Sequence, residues 1–253
     1  MAGTINNEER YQVEERFHDV RAQESIDDFY SFGALDYADT YLWCQLGDLK
    51  GKHILEIGCG DGKATLRFAQ AGAYVTAIDI SGGMVELTKK RIEANGYAER
   101  VKGIHMKGED IDFKSESFDV VYGHSVLHHM DLDKFTPACA KILRKNGIAC
   151  FLEPLDYNPI INLFRKYTPH RRTPTEQPLK MYQLSAMAQQ FGAWEHREFV
   201  LLSLVAFFWY YGIRIKWLFQ ATMKVLNPVD RILFKILPPL RRIAWVTVVR
   251  FEK

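Results

Sequence analysis

The stretch from His53 to Gly62, H-I-L-E-I-G-C-G-D-G, decides the fold, together with Asp79 about seventeen residues further on. Its apolar start predicts a buried strand, and its three alternate glycines predict a turn where a ligand can approach the backbone closely. A helix predicted over Lys63 to Gln70 points free N–H groups at the same place. A second apolar strand, 74–78, leads to Asp79, whose carboxylate can accept hydrogen bonds from both hydroxyls of a ribose. Strand, turn, helix, strand and acid therefore predict one nucleoside-binding unit.

The spacing of the turn differs from the dinucleotide-binding fingerprint, which reads G-x-G-x-x-G. Here the sequence reads E-I-G-C-G-D-G from Glu56 to Gly62, with an acid inside the turn and no basic residue. Such a turn repels a pyrophosphate and tolerates an ammonium or sulfonium group. Over roughly residues 50–155 the chain resembles the class I S-adenosylmethionine-dependent methyltransferases, whose motif is acid-x-G-x-G-x-G. The alternative is a generic glycine-rich loop.

The resemblance implies S-adenosyl-L-methionine as cofactor, S-adenosyl-L-homocysteine as product, and a set of binding residues. Ile80 and Met84 are expected to flank the adenine, and Asp110 is expected to accept from its exocyclic amine, although a solvated loop acid is the alternative for Asp110. The full predicted cofactor set is Glu56, Gly58, Cys59, Gly60, Gly62, Asp79, Ile80, Met84, Glu109, Asp110, Ile111 and His124.

Two residues are candidates for the chemistry itself. Methyl transfer from a sulfonium requires mainly that the acceptor be held in line with the methyl group, and a hydroxyl or ammonium acceptor must also lose a proton. Some small-molecule methyltransferases have a histidine at the position of His128, which predicts His128 as the base; a packing histidine is the alternative. Adjacent residues on a helical turn point about 100° apart, so one of His128 and His129 is expected to face the site. Glu153 ends a strand at the carboxyl edge of the sheet and could orient the acceptor.

A metal site is not predicted. His124 and His128 have helical i, i+4 spacing, but His124 falls at a strand end and no H-E-x-x-H context exists.

The acceptor side is predicted from segments on both sides of the cofactor core. Residues 1–50 are polar, helical in pattern and rich in aromatics, which in the resembled family is typical of a lid; the alternative is that the aromatics simply pack on the sheet. The stretch 155–179 is rich in proline and predicted to be a loop, whose arginines could bind a phosphate or carboxylate of an anionic acceptor. The predicted acceptor residues are Tyr11, His18, Tyr37, His129, Arg165, Arg171 and Arg172.

The predicted fold class is α/β, a Rossmann-like class I methyltransferase sheet with helices on both faces. The sheet is expected to be mostly parallel and to close with an antiparallel C-terminal pair, about 195–205 with 243–251. The predicted divisions are a helical lid over 1–50, a cofactor-binding core over 51–155, and a C-terminal part over 156–253 with a helical cap inserted at about 206–242.

The insert is the most unusual segment. Phe199 to Ile213 is almost wholly apolar, yet at fifteen residues it is shorter than the roughly twenty that span a bilayer. The following residues mix aromatics with Lys and Arg. This composition suits a membrane-surface helix, a substrate lid, a homo-oligomer contact or plain core packing.

Composition sets the broader limits. The 253 residues, 47% hydrophobic, suit one α/β domain with an elaboration. Four scattered cysteines and an N-terminus without an apolar signal region favour a cytoplasmic setting, with peripheral membrane association left open. Residues 161–253 carry a net charge of +10 and the remainder −8, which suggests an anionic acceptor or membrane, or merely a solvated basic face. The absence of a long basic run disfavours nucleic acid.

Together these features predict an S-adenosylmethionine-dependent methyltransferase that acts on an apolar small-molecule or lipid-like acceptor. Two alternatives stay open. One is a methyltransferase-like binding module that acts as an adaptor at a membrane surface, and the other is a cofactor-dependent cyclase on the same fold.

Overall fold

The computed structural model describes residues 7–23, 33–168, 173 and 175–253. Seven strands form one sheet in the order β3-β2-β1-β4-β5-β7-β6. The strands are β1 (His53–Ile57), β2 (Tyr74–Asp79), β3 (Val101–His105), β4 (Phe118–His124), β5 (Leu143–Pro154), β6 (Ala193–Phe199) and β7 (Val246–Glu252).

Eight α-helices occur in the described ranges. They are α1 (Asn7–Gln23), α2 (Asp36–Gln45), α3 (Lys63–Gln70), α4 (Gly82–Ala94), α5 (Leu132–Ile142), α6 (Pro159–Tyr167), α7 (Met181–Ala188) and α8 (Lys216–Ile236). Helix α6 corrects the prediction of a loop over 155–179. Asn158 accepts from the N–H groups of Ile160 and Ile161 with its side chain, and Pro159 fits the first helical position, so a proline begins this helix instead of breaking it.

The predicted fold class is confirmed. Strands β3, β2, β1, β4 and β5 are parallel, while β7 pairs antiparallel with both β5 and β6. The strand order reverses between β1 and β4, and ligands of open α/β sheets bind beyond the carboxyl ends of the strands at such a point. Gly58 follows β1 and Ser125 follows β4, so these two turns face each other across that crevice.

Two apolar cores lie on the sheet. One joins α2 and the insert to the strands through residues such as Leu42, Phe219 and Val248. The other joins α5 and α7 to the strands through residues such as Phe135, Leu184 and Val249. Since β7 supplies Val248 to one core and Val249 to the other, its side chains alternate between the two faces as a strand requires.

The β6 strand is shorter than predicted, ending at Phe199 instead of Val205. Val200 has a left-handed backbone (φ 64°), which a β-branched residue rarely adopts, and a 3₁₀ helix follows over Leu202–Ala206. The buried Asp230 of α8 accepts from the N–H groups of Leu201 and Leu202, at 2.8 Å each. This carboxylate holds the apolar run in a helical turn that pattern alone could not distinguish from strand.

The insert is helical in the structure, with the 3₁₀ turn, a π-helical turn (Trp209–Ile213), α8 and a 3₁₀ helix (Pro238–Ile243). Its inner face packs into the core through Phe219, which is fully buried. Trp217, by contrast, is 69% exposed. Within the described ranges, no helix is both long enough and apolar enough to cross a bilayer.

Helix α1 is attached to the rest of the protein mainly by polar side chains. Arg10 bonds Glu109 at 3.0 Å, and Asp19 accepts from the hydroxyl of Ser81 and from the N–H of Gly83, the latter at 3.1 Å. These contacts seat the helix over the carboxyl edge of the sheet.

Candidate functional site

A cavity of about 2370 Å³ opens at the carboxyl edge of the sheet, between the β1 and β4 turns. The glycine turn forms part of its wall. Gly58 has a positive φ of 71°, and a methyl group there would come within 3.1 Å of Cγ2 of Val126. At Gly60 (φ 52°) a methyl group would meet no atom within 4 Å, because it would enter open space. The turn thus presents bare backbone to a ligand.

Asp79 lies at the end of β2 with its carboxylate against this turn. One oxygen accepts from the N–H of Gly60 and the other from the N–H of Ser81, both at 2.9 Å. Burial raises the pKa of Asp79, although these two N–H groups oppose the shift. A carboxylate can accept about four hydrogen bonds, so it retains capacity for two hydroxyls of a ligand.

The glycine turn carries less negative charge than its two acidic residues suggest in the sequence. Asp61 is neutralised by two cations, with Nη2 of Arg91 at 3.1 Å and Nζ of Lys63 at 3.0 Å. Burial raises the pKa of Glu56 to about 8 against an opposing hydrogen bond from Thr65, so this carboxyl is mostly protonated at neutral pH. The turn therefore carries less negative charge than its sequence suggested. Arg91 lies outside the motif, so its approach to Asp61 could not be foreseen.

Glu56 gives a testable pH dependence. Its folded pKa of about 8 lies above the ordinary value of 4.5, so its stabilising contribution is complete below about pH 4.5 and is lost as the pH rises towards 8. Between about pH 5 and pH 8, the free energy of unfolding of the wild type should fall relative to Glu56→Gln by up to about 1.4 kcal/mol per pH unit. Denaturant titrations of the cofactor-free proteins measure this. Parallel curves would mean that Glu56 is already ionised in the fold.

His128 and Glu153 form a buried pair. Nδ1 of His128 lies 2.8 Å from Glu153 Oε2, while Glu153 Oε1 accepts from the N–H groups of Val126 and Leu127 at 2.9 Å each. His128 lines the cavity, and Glu153 stands behind it. Burial and the neighbouring His129 lower the pKa of His128, although Glu153 opposes the shift. The carboxylate fixes the orientation of the imidazole that faces the ligand.

His129 also lines the cavity, so the expectation that only one of the two histidines would face it is wrong. The residues form a 3₁₀ turn (Leu127–His129), and their ring centroids lie 4.1 Å apart. His129 points to α1, where its Nδ1 lies 3.1 Å from Glu14 Oε2. Burial alone would lower the pKa of His129, but the Glu14 carboxylate outweighs this effect and raises it.

Glu14 and His18 complete this cluster from α1. Burial would raise the pKa of Glu14, but His129 and the hydroxyls of Thr175 and Thr173 lower it to about 2. Burial and His129 lower the pKa of His18 to about 4. Since both residues line the cavity, a mixed carboxylate and imidazole group covers one end of it.

The other predicted cofactor residues divide into two groups. Within the cavity wall are Cys59, Ile80, Met84, Glu109 and His124. Gly62, Asp110 and Ile111 lie outside it: Gly62 begins α3 with its Cα facing Thr88, Asp110 is exposed and Ile111 is buried in the core. The 3₁₀ helix Gly108–Asp110 turns Glu109 inward, where Arg10 and the N–H of Asp131 hold its carboxylate.

The predicted acceptor residues are similarly divided. Tyr11, His18 and Arg165 line the cavity, whereas Tyr37 packs on Phe199, with ring centroids 6.0 Å apart, outside its wall. Arg165 lies near Glu176, at 3.9 Å, and also bonds Asn162. Arg171 and Arg172 lie outside the described residues.

Sequence reasoning missed several wall residues. Glu14 is the most informative, because its i, i+4 spacing to His18 was visible in the sequence and places both side chains on one face of a helix. Tyr122 and Trp43 also line the cavity, but as aromatics in apolar segments they carried no distinguishing signal.

The chain is similar to known methyltransferases over its core. The family model described as a methyltransferase domain matches residues 55–151. An O-methyltransferase, rstn1, of Aspergillus nomiae is 34% identical over 88 residues, covering 34% of this chain and 39% of that protein. The ubiquinone biosynthesis O-methyltransferase of Coxiella burnetii is 29% identical over 103 residues, covering 39% of this chain and 42% of that protein. The matched stretch thus spans about two fifths of these curated relatives.

Among solved structures, the geranyl diphosphate C-methyltransferase of Streptomyces coelicolor A3(2) superposes with a TM-score of 0.63. The alignment covers 96% of this chain and 97% of that one at 13% identity, so it establishes the shared fold. Sheet order, glycine turn, terminal acid and the matched segment agree: residues 55–151 match the methyltransferase-domain family and lie in a sheet with the class I methyltransferase fold.

Proposed function

We propose that the protein transfers a methyl group from S-adenosyl-L-methionine to an apolar small-molecule or lipid-like acceptor. The observation that carries the proposal is the continuity of the cavity. Its wall runs from Asp79 and the glycine turn, past His128, to an apolar surface formed by α6 and the insert. One cavity therefore offers a nucleoside site and an apolar site side by side.

The residues fit S-adenosyl-L-methionine on two counts. Asp79 is a buried acid with spare acceptor capacity, and Gly60 opens to space that any side chain would enter. When bound, the cofactor supplies a methyl group activated by a sulfonium. The part of the protein is to hold the acceptor in line, exclude water and, for a hydroxyl or ammonium acceptor, take up a proton at His128.

The acceptor wall supports an apolar ligand. Phe164 of α6 packs against Tyr211 of the insert, with ring centroids 5.4 Å apart. Ile160, Val205 and Phe208 in the same wall are each more than half exposed. The apolar residues from the insert are Leu201, Leu202, Leu204, Val205, Phe207, Phe208 and Tyr211. Ligand-binding pockets are typically 300–1,000 Å³, so a cavity of about 2370 Å³ leaves room for an acceptor beside the cofactor.

The direct test is incubation of the protein with S-adenosylmethionine labelled in its methyl group and with a set of apolar hydroxylated acceptors and lipid extracts. We expect label in the acceptor, S-adenosylhomocysteine in equal amount, and inhibition by added S-adenosylhomocysteine. Calorimetric binding of the cofactor without any transfer would favour the adaptor, while release of S-adenosylhomocysteine with a ring-closed acceptor would favour the cyclase. If the cofactor does not bind, the proposal fails.

The outer face of α8 supports a site of action at an anionic membrane surface. Trp217, Val225, Ile232 and Ile236 are each more than half exposed on one side of the helix, and Lys224, Arg231 and Lys235 are exposed beside them. Aromatic and aliphatic side chains flanked by basic ones suit a helix lying in a membrane interface. The same face could instead be a contact between two copies of the chain.

We therefore expect the protein to co-sediment with anionic vesicles more than with neutral ones, and salt to weaken binding, because each basic residue near the surface contributes about 1 kcal/mol. A Trp217→Ser, Ile236→Ser double variant should bind vesicles more weakly. Phe219, although an aromatic residue of the same helix, is not replaced in this test because its side chain is buried in the core and cannot contact a membrane.

Tyr182→Ser is the matched control, since Tyr182 is 66% exposed on α7, which packs on the opposite core. Membrane binding by α8 would be contradicted if Tyr182→Ser lost as much vesicle binding as the double variant. It would also be contradicted if the wild type bound anionic and neutral vesicles equally. A change from dimer to monomer in the double variant, without vesicle binding, would identify an oligomer contact.

A further inference from the structure

The cluster of Glu14, His18 and His129 has the composition of a metal site. One possible ligand atom from each residue lies within 4.8 Å of those of the other two. Two imidazoles with one carboxylate form a common ligand set for zinc and for iron(II) in open, reactive sites. The sequence predicted no metal site, and the cluster does not include the His124 and His128 pair whose spacing was considered and set aside.

The hydrogen bonding of Glu14 supplies independent support. Its Oε1 accepts from the hydroxyls of Thr173, at 2.7 Å, and Thr175. Its Oε2 is buried and makes no well-aligned hydrogen bond, and the same is true of Nδ1 of His129, although the two atoms form an ion pair at 3.1 Å. Glu14 is only 2% exposed, and buried polar atoms are generally satisfied. Two buried ligand atoms from different elements that face each other without an aligned hydrogen bond suit a cation as their common partner.

The distances suit a small cation after a modest adjustment. Oε2 of Glu14 lies 3.1 Å from Nδ1 of His129 and 3.9 Å from Nε2 of His18. With bonds of about 2.0–2.2 Å, tetrahedral ligands of zinc lie roughly 3.4 Å apart. The two rings stand nearly perpendicular, at 84°, with centroids 6.0 Å apart. A small rotation of His18, whose side chain is 28% exposed, would close the triangle.

We propose that Glu14, His18 and His129 bind one divalent transition-metal ion, of the zinc class, at the end of the cavity. Three protein ligands leave its remaining positions open toward the cavity, where a water molecule or an oxygen of a ligand can coordinate. Because two ligands belong to α1 and one follows β4, the ion would also fasten α1 to the core. Metal binding here does not depend on methyl transfer.

The test is titration of metal-free, full-length protein with Zn²⁺ by calorimetry and with Co²⁺ by visible absorption. We expect one equivalent to bind per chain, with a Co²⁺ spectrum that lacks a thiolate band, which separates this site from the exposed Cys44. Binding should also raise the midpoint of thermal unfolding. His18→Gln and His129→Gln should each weaken binding by at least tenfold.

The chain offers a matched control in His105, which pairs with Glu15 of the same helix at 3.1 Å and belongs to no candidate metal-binding group among the described residues. His105→Gln should leave metal affinity unchanged. Absence of stoichiometric binding by the wild type, or equal binding by His18→Gln, would overturn the proposal and leave the cluster as an ion pair. If His129→Gln does not fold, His18→Gln decides alone. The side chain of His18 is partly exposed, so this variant is expected to fold.

Discussion

Replacing Asp79 with alanine should weaken binding of S-adenosyl-L-methionine by at least tenfold, and by more if both ribose bonds are lost. A hydrogen bond to a charged group contributes about 1.5–3 kcal/mol, and the carboxylate has capacity for two ligand hydroxyls. The variant also removes the acceptor for the N–H groups of Gly60 and Ser81, so the glycine turn loses its anchor. Calorimetry on the folded variant measures the effect.

Asp110→Ala is the matched control, because Asp110 is an exposed acid outside the cavity wall. We expect its cofactor affinity to equal that of the wild type. A comparable loss in Asp110→Ala would restore the sequence-based prediction that this residue contacts adenine. Unchanged affinity in Asp79→Ala would remove Asp79 from the site.

Replacing His128 with alanine should lower turnover by about 10²–10⁴-fold while the cofactor affinity stays level. The imidazole of His128 lines the cavity, and Glu153 holds its Nδ1. Loss of the ring therefore removes a proton acceptor without changing the ribose site. Initial rates at saturating cofactor, with calorimetry in parallel, measure the two quantities. Added imidazole should restore part of the turnover if the residue acts as a base.

Glu153→Gln separates positioning from proton transfer. The amide keeps the size of the side chain but weakens its hold on His128 and on the N–H groups of Val126 and Leu127. We expect a smaller loss of turnover than in His128→Ala, and no rescue by imidazole. Near-normal turnover in His128→Ala would place proton transfer elsewhere, or show that a carbon or thiolate acceptor requires none.

The parts of the fold that sequence could predict depend on local pattern. The β1 strand and the glycine turn are read from neighbouring residues, and the observed strand spans His53–Ile57. Asp79 follows from its place at the end of an apolar run. These features together suffice to predict the sheet and the meeting of Asp79 with the glycine turn.

The acceptor side depends on contacts between distant segments. Glu14 meets Thr173 and Thr175 across 159 and 161 positions of sequence, and no local periodicity encodes that pairing. The end of β6 was likewise decided by Asp230, 28 residues from Leu202. The inward turn of Glu109 instead of Asp110 is a shift of one residue, smaller than any pattern resolves.

The polar attachment of α1 bears on the order in which ligands enter and leave. A hydrogen bond to a charged group contributes a net of only about 1.5–3 kcal/mol, because water replaces it when it breaks. Arg10 and Asp19 can therefore exchange their partners for water while the apolar cores beneath stay intact. Amide protons of α1 should then exchange with solvent sooner than those of β1 and β4, and we expect movement of this helix to open the cavity while the sheet stays intact.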